Sequence, residues 1–290
     1  MVCGCITVVL ATLLFPLILA AQSSSNESKC KNNLRQIGLA MHNYHDSYGQ
    51  FPPGWITKDR RAAGLSGSGW QTALLPYMDH APLYNQINFS VGFNPAGDAK
   101  YLAPFKTEVK GYRCPADVTP KNNPVRGGWP TSNYSGNGGS HPFPRWTSVP
   151  GKFVWPGIVP YARIPNWGEN NTGIMNANWG ARISHITDGT SNTIMVGERS
   201  AKSGAGIWPG VTAGYQENDA MTDGSHASRI QQSLSGYSSM HRTANFLICD
   251  GAVRPIKSDV DSKPNSGPGQ LPQGTFQKLV SKADGQVIGE

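Results

Sequence analysis

The sequence predicts an α+β fold: one long N-terminal helix, apolar at its start, seated by its C-terminal half on a mainly antiparallel β-sheet with long Gly/Pro/Trp-rich loops. Four observations carry that prediction. A charge-free run, Ile6 to Ala21, passes through a short polar patch into Cys30–Tyr48. There Leu34, Ile37, Met41, Tyr44 and Tyr48 recur every three or four residues, the stripe of a helix lying on a core. The 34 Gly and 22 Pro, against 15% charged residues, describe a turn-rich chain of short strands rather than a bundle. Finally, Asp250-Gly251 sits between the apolar runs Ala244–Cys249 and Ala252–Ile256, a strong hairpin signal because that turn needs positive φ.

The elements follow in order. Residues 1–21 form an apolar anchor or signal segment, 22–50 an amphipathic helix, and 51–290 a single β-rich head, within the capacity of one large domain. The apolar run is shorter than the ~20 residues of a full span and longer than most signal-peptide cores. Pro16 interrupts it, and no Lys or Arg precedes it. Three readings stay open: an uncleaved anchor, a cleaved signal ending near Ala20 or Ala21, and a buried core helix. The first two place the body outside the cytoplasm. Lys31, Asn32, Arg35, Gln36 and Asn43 fall off the stripe, and Gly49 with Pro52-Pro53-Gly54 ends the helix.

In the body, Trp55–Gly69 reads as a polar loop exposing Arg60 and Arg61. Gln71–Ile87 has helical spacing cut by Pro76 and Pro82, hence short helical turns. Val109–Cys114 alternates and predicts a strand. Residues 119–172 are dense in Pro, Gly, Asn and Trp and predict long loops with a few short strands. Thr187–Asn192 reads as a polar turn before the apolar Ile194–Val196. Residues 200–240 return to loop, with His226 in it. Phe276–Ala283 predicts a short helix and Gln286–Ile288 a last edge strand.

The search for chemistry returns little. The net charge of +7 is scattered, without the dense basic tract of a nucleic-acid binder. His42 and His45 are three apart on the helix, without an evident third ligand. Asp79 and His80 adjoin but diverge on a helix. The oxygens of Asp188–Asn192 could hold calcium but lack the acidic richness of a calcium loop. Ser191 is in no nucleophile elbow, and Glu198 has no partner in sequence. No cysteine pair has zinc-ligand spacing; Cys30 and Cys114 could pair as a disulfide in an exported body, leaving Cys249 as a small buried residue. Trp129, Trp146, Trp155 and Trp167 either pack inside or line a recognition surface. The reading is of a non-enzyme with no assigned catalytic, cofactor or metal residue.

The segment CKNNLRQIGLAMHNYHDSYGQFPPGW, followed by GWQTALLPYMDHAPLYNQINF, YRCPAD, SNYSGNGG and ITDGTSNTIMVGERS, resembles a large pilin-like bacterial family of unknown function, the domain of unknown function 1559 type. That family joins a prepilin-type N-terminal helix to a C-terminal His, nine residues, Asp-Gly motif. Here His241 and Asp250 enclose eight residues. The family's peptidase site has no counterpart, and Met1 falls where its apolar helix would lie. The resemblance implies a type IV pilin/pseudopilin-like fold. It implies an envelope-anchored structural or assembly protein, held in the lipid bilayer by residues 6–21 and associating with itself or other pilin-like subunits. The alternative is a tethered extracytoplasmic protein that binds a glycan or envelope partner through its Trp-rich loops.

Overall fold

The computed structural model describes residues 2–57, 66–140, 172–212, 219–222, 236–263, 274–283 and 285; along the first helix it describes side chains at Phe15 and from Ile18 onward. That helix is continuous from Val2 to Tyr48. Cys30, Leu34, Ile37, Ala40 and Met41 are fully buried, whereas Phe15, Ile18 and Leu19 are exposed. The three-four spacing therefore does what it predicts over three turns, each large side chain contributing about 1.5–3 kcal/mol on burial. Tyr48 departs from the stripe: it is exposed and stacks on Tyr44 instead, with ring centroids 4.4 Å apart. Gly49, at φ 70°, stops the helix in the left-handed conformation and donates its N–H to the His45 carbonyl.

The body is built on a five-stranded, mainly antiparallel sheet. Ile194–Glu198 lies at its centre, paired antiparallel with Tyr134–Asn137 on one side and Ala244–Ile248 on the other. Val253–Ile256 adds antiparallel to Ala244–Ile248, and Met221–Thr222 adds parallel to Tyr134–Asn137. Both faces are covered, so every residue of the two strands Ile194–Glu198 and Ala244–Ile248 is buried. Leu247 and Cys249 face the long helix and the main core, while Phe246 and Ile248 face a second cluster with Phe276 and Val280. That is the two-residue period of a strand. Gly38 lets the helix sit against Leu247; a Cβ there would lie 2.8 Å from the leucine's Cδ1.

The Asp250-Gly251 hairpin forms as expected. Gly251 has φ 88°, and the Asp250 carboxylate accepts the Ala252 N–H at 2.9 Å. The Pro-cut helical turns are present at Trp70–Leu74, Leu75–Met78 and Ala81–Tyr84, and the C-terminal helix spans Thr275–Val280. Val109–Cys114 is not a strand. Lys110–Tyr112 makes a 3-10 turn, because the polar groups a ladder would use go to Asn133. Its backbone N–H donates to the Tyr112 carbonyl and its Oδ1 accepts from the Cys114 N–H, both at 2.9 Å. Arg60, Arg61, Trp146, Trp155, Trp167, His226 and the Gln286–Ile288 strand lie outside the described residues. Among the described residues, no helix is long and apolar enough to cross a membrane.

Candidate functional site

Four side chains from four distant segments converge where the long helix meets the body. Cys30 stands one turn before Leu34 on the helix, and Cys114 follows the 3-10 turn. Glu198 ends the central strand, and His241 precedes the strand Ala244–Ile248. Cys30 and Cys114 form a disulfide, with Cα atoms 5.0 Å apart across a sequence separation of 84. His241 Nε2 lies 3.5 Å from Cys114 Sγ. One ligand-type atom from each of Cys30, Cys114, Glu198 and His241 lies within 4.8 Å of the others. All four residues are buried, with exposures of 0, 5, 2 and 7%.

Local hydrogen bonds hold each member in place. Asn33 on the helix donates to the Arg113 carbonyl at 2.7 Å, and Asn133 fixes the Cys114 N–H from the sheet side. Asn133 also donates to the Arg199 carbonyl at 3.2 Å, tying this loop to the strand that carries Glu198. The Glu198 carboxylate accepts the Asn245 backbone N–H at 2.9 Å and the Asn245 side-chain amide at 3.1 and 3.2 Å. The Tyr134 hydroxyl donates to the Cys30 carbonyl at 3.2 Å. His241 donates its backbone N–H to Ser239 Oγ at 3.1 Å.

The electrostatics follow from burial. Desolvation pushes the Glu198 carboxyl up, against the Asn245 hydrogen bonds that pull it down. It pushes His241 down, against Glu27, so the imidazole beside the sulfur is the neutral form near neutrality. Cys114 is also part of the wall of an open cleft of ≈ 450 Å³ bordered by Lys29, Lys110, Arg113 and Asp117. The buried disulfide thus lies against an imidazole, and Cys114 borders the cleft.

The residues singled out in the sequence fall elsewhere. His42 and His45 pack on Phe51, with ring centroids 5.6 and 5.0 Å away, and among the described residues they gather no third ligand. Asp79, at φ 61°, closes a 3-10 turn. The polar groups of Asp188–Asn192 are used in local hydrogen bonds: the Asp188 carboxylate accepts the Gly285 N–H at 3.1 Å, the Asp188 carbonyl accepts from Asn192 Nδ2, and the Gly189 carbonyl accepts from Thr193 Oγ1. Trp129 is buried, edge-on to Phe93 at 4.9 Å. His241 approaches the disulfide and Glu198. The four-residue cluster has no signature in spacing. The signal that bears on it is the open possibility of the Cys30–Cys114 pairing, which identifies half of it.

Neither the curated proteins nor the solved structures contain a match to this chain. A family model described as "Protein of unknown function (DUF1559)" matches residues 27–263, a stretch that includes all four residues of the cluster. That is well over half of the 290 residues, and the chain belongs to the DUF1559 family.

Proposed function

We propose that this protein is a non-enzymatic, envelope-anchored structural or assembly component of pilin-like or pseudopilin-like build. Its apolar N-terminal helix holds it in the bilayer and meets the helices of neighbouring subunits, and its head is displayed outside the cytoplasm. One observation carries the reading. A single unbroken helix, Val2–Tyr48, buries one stripe, Cys30, Leu34, Ile37, Ala40 and Met41, in the body yet leaves Phe15, Ile18 and Leu19 uncovered. The segment before Cys30 reaches roughly 40 Å at 1.5 Å per residue. Uncovered apolar side chains on a rigid rod call for lipid or for another rod. The Cys30–Cys114 disulfide fits an exported body, where such bonds persist.

The test is site-directed cross-linking in native membranes, with a photo-reactive residue at Phe15, Ile18 or Leu19. Ladders of cross-linked copies through these positions are the expected result. A chain that stays monomeric at all three, or that remains in the envelope after deletion of residues 6–21, would overturn the reading. A monomer that instead cross-links to glycan through its head would favour the tethered binding protein.

A further inference from the structure

The cluster of Cys30, Cys114, Glu198 and His241 has two chemical states, and only one of them is a cross-link. We propose that two-electron reduction of the disulfide converts this cluster into a closed binding site for a thiophilic divalent cation, with Zn²⁺ the ion its donors fit best. Two thiolates, an imidazole nitrogen and a carboxylate oxygen make a four-coordinate protein-only set of the kind that structural zinc sites use. In a tetrahedral zinc site with bonds of roughly 2.0–2.3 Å, neighbouring donor atoms stand about 3.3–3.8 Å apart. The His241 Nε2 to Cys114 Sγ distance is already 3.5 Å. The remaining donor atoms lie within 4.8 Å, so they need to shift by about an ångström once the sulfurs are free to part.

The surroundings of Glu198 point to a cation. Glu198 is 2% exposed, and its hydrogen bonds come from neutral groups, the backbone and side-chain amides of Asn245 and the Ser239 side chain. Among the described residues no lysine or arginine forms an ion pair with it. A buried ionised carboxylate without a cationic neighbour is costly unless it takes up a proton or a positive charge joins it. Asn245 also orients that carboxylate, the supporting role that outer hydrogen bonds play around metal ligands.

The reaction balances as thiol–disulfide exchange. A dithiol reductant attacks the Sγ of Cys114, the half of the pair that borders the cleft, and the S–S bond breaks with Cys30 leaving as thiolate. The reductant's second thiol then displaces Cys114 and becomes a disulfide itself. Two electrons pass to the protein, and the two cysteine protons are released when Zn²⁺ binds.

The experiment uses the full chain in detergent, oxidised or reduced with a phosphine, and titrates it with Zn²⁺ alone and with Co²⁺ alone. The expected result is one equivalent bound by the reduced chain and none by the oxidised chain, with the Co²⁺ form showing tetrahedral thiolate absorption. Replacing a ligand, His241→Ala or Glu198→Gln, should weaken binding at least tenfold, and Asn245→Ala about tenfold. Cys249→Ala should leave binding unchanged. Zn²⁺ should raise the melting temperature of the reduced chain alone, which reads the site without any variant. If the reduced chain is unfolded, Zn²⁺ should restore its circular dichroism. The proposal is overturned by a reduced chain that binds no metal or stays unfolded in excess Zn²⁺. Affinity indifferent to both His241→Ala and Glu198→Gln, or lost on Cys249→Ala, overturns it equally.

Discussion

At the scale of single residues, burial of charge sets the clearest test. Lys282 is 4% exposed, and its ammonium lies 5.0 Å from the centre of the Trp179 ring. Desolvation brings its pKa down to about 8. The sign follows from proton counting. Between about 8 and the ordinary value of 10.5 the unfolded chain holds a proton that the folded chain has shed, so stability rises with pH across that window. Below it both states are charged and the burial penalty is present in full. Urea unfolding from pH 7.5 to 9.5 should show a rising midpoint for the native protein. Lys282→Met should remove that rise while keeping the apolar stem packed. A parallel pH dependence in both proteins would show that other groups titrate there. The same logic of buried charge governs Arg126 and Asp219, which form an ion pair while the Asp219 carboxylate also accepts the Thr212 N–H at 2.9 Å.

At the scale of the element, the long helix separates what is packed from what is merely helical. Leu34 is fully buried and Leu39 is 65% exposed, five residues apart on the same helix. Leu34→Ala should cost about 2–5 kcal/mol, since it removes contacts and leaves a cavity. Leu39→Ala should change stability by no more than about 0.5 kcal/mol. Denaturant unfolding of the two variants measures the difference, and equal costs would mean the helix does not seat on this face. The hairpin beside it rests on local chemistry alone: Asp250 and Gly251 supply the capping oxygen and the positive φ whatever surrounds them. By contrast the Val109–Cys114 segment had the alternation of a strand and became a 3-10 turn. Asn133, about twenty residues on in sequence, took the hydrogen bonds that a neighbouring strand would have needed.

At the scale of the whole molecule, the disulfide is the covalent tie between the rod and the head. Replacing both cysteines, Cys30→Ser with Cys114→Ser, should cost about 2–5 kcal/mol in denaturant midpoint, because the unfolded chain regains the freedom of a long loop. A loss below about 0.5 kcal/mol would show that the buried stripe alone holds the helix down. How much of this was legible differs by range. The stripe Leu34, Ile37 and Met41, the Pro-cut turns and the Asp250-Gly251 hairpin could be read directly, because periodicity, fixed proline φ and turn chemistry act between residues close in the chain. So could the family, through segments kept in order along residues 27–263. The convergence of Cys30, Cys114, Glu198 and His241 could not. Each arrives on a different segment, and no spacing rule reaches across the separations that the sheet and the helix close. The sequence by itself determined a long helix with a buried stripe and an α+β body. Only the tertiary structure decided that Cys30, Cys114, Glu198 and His241 share one buried place, because that meeting depends on which faces pack, a choice made by the whole core at once.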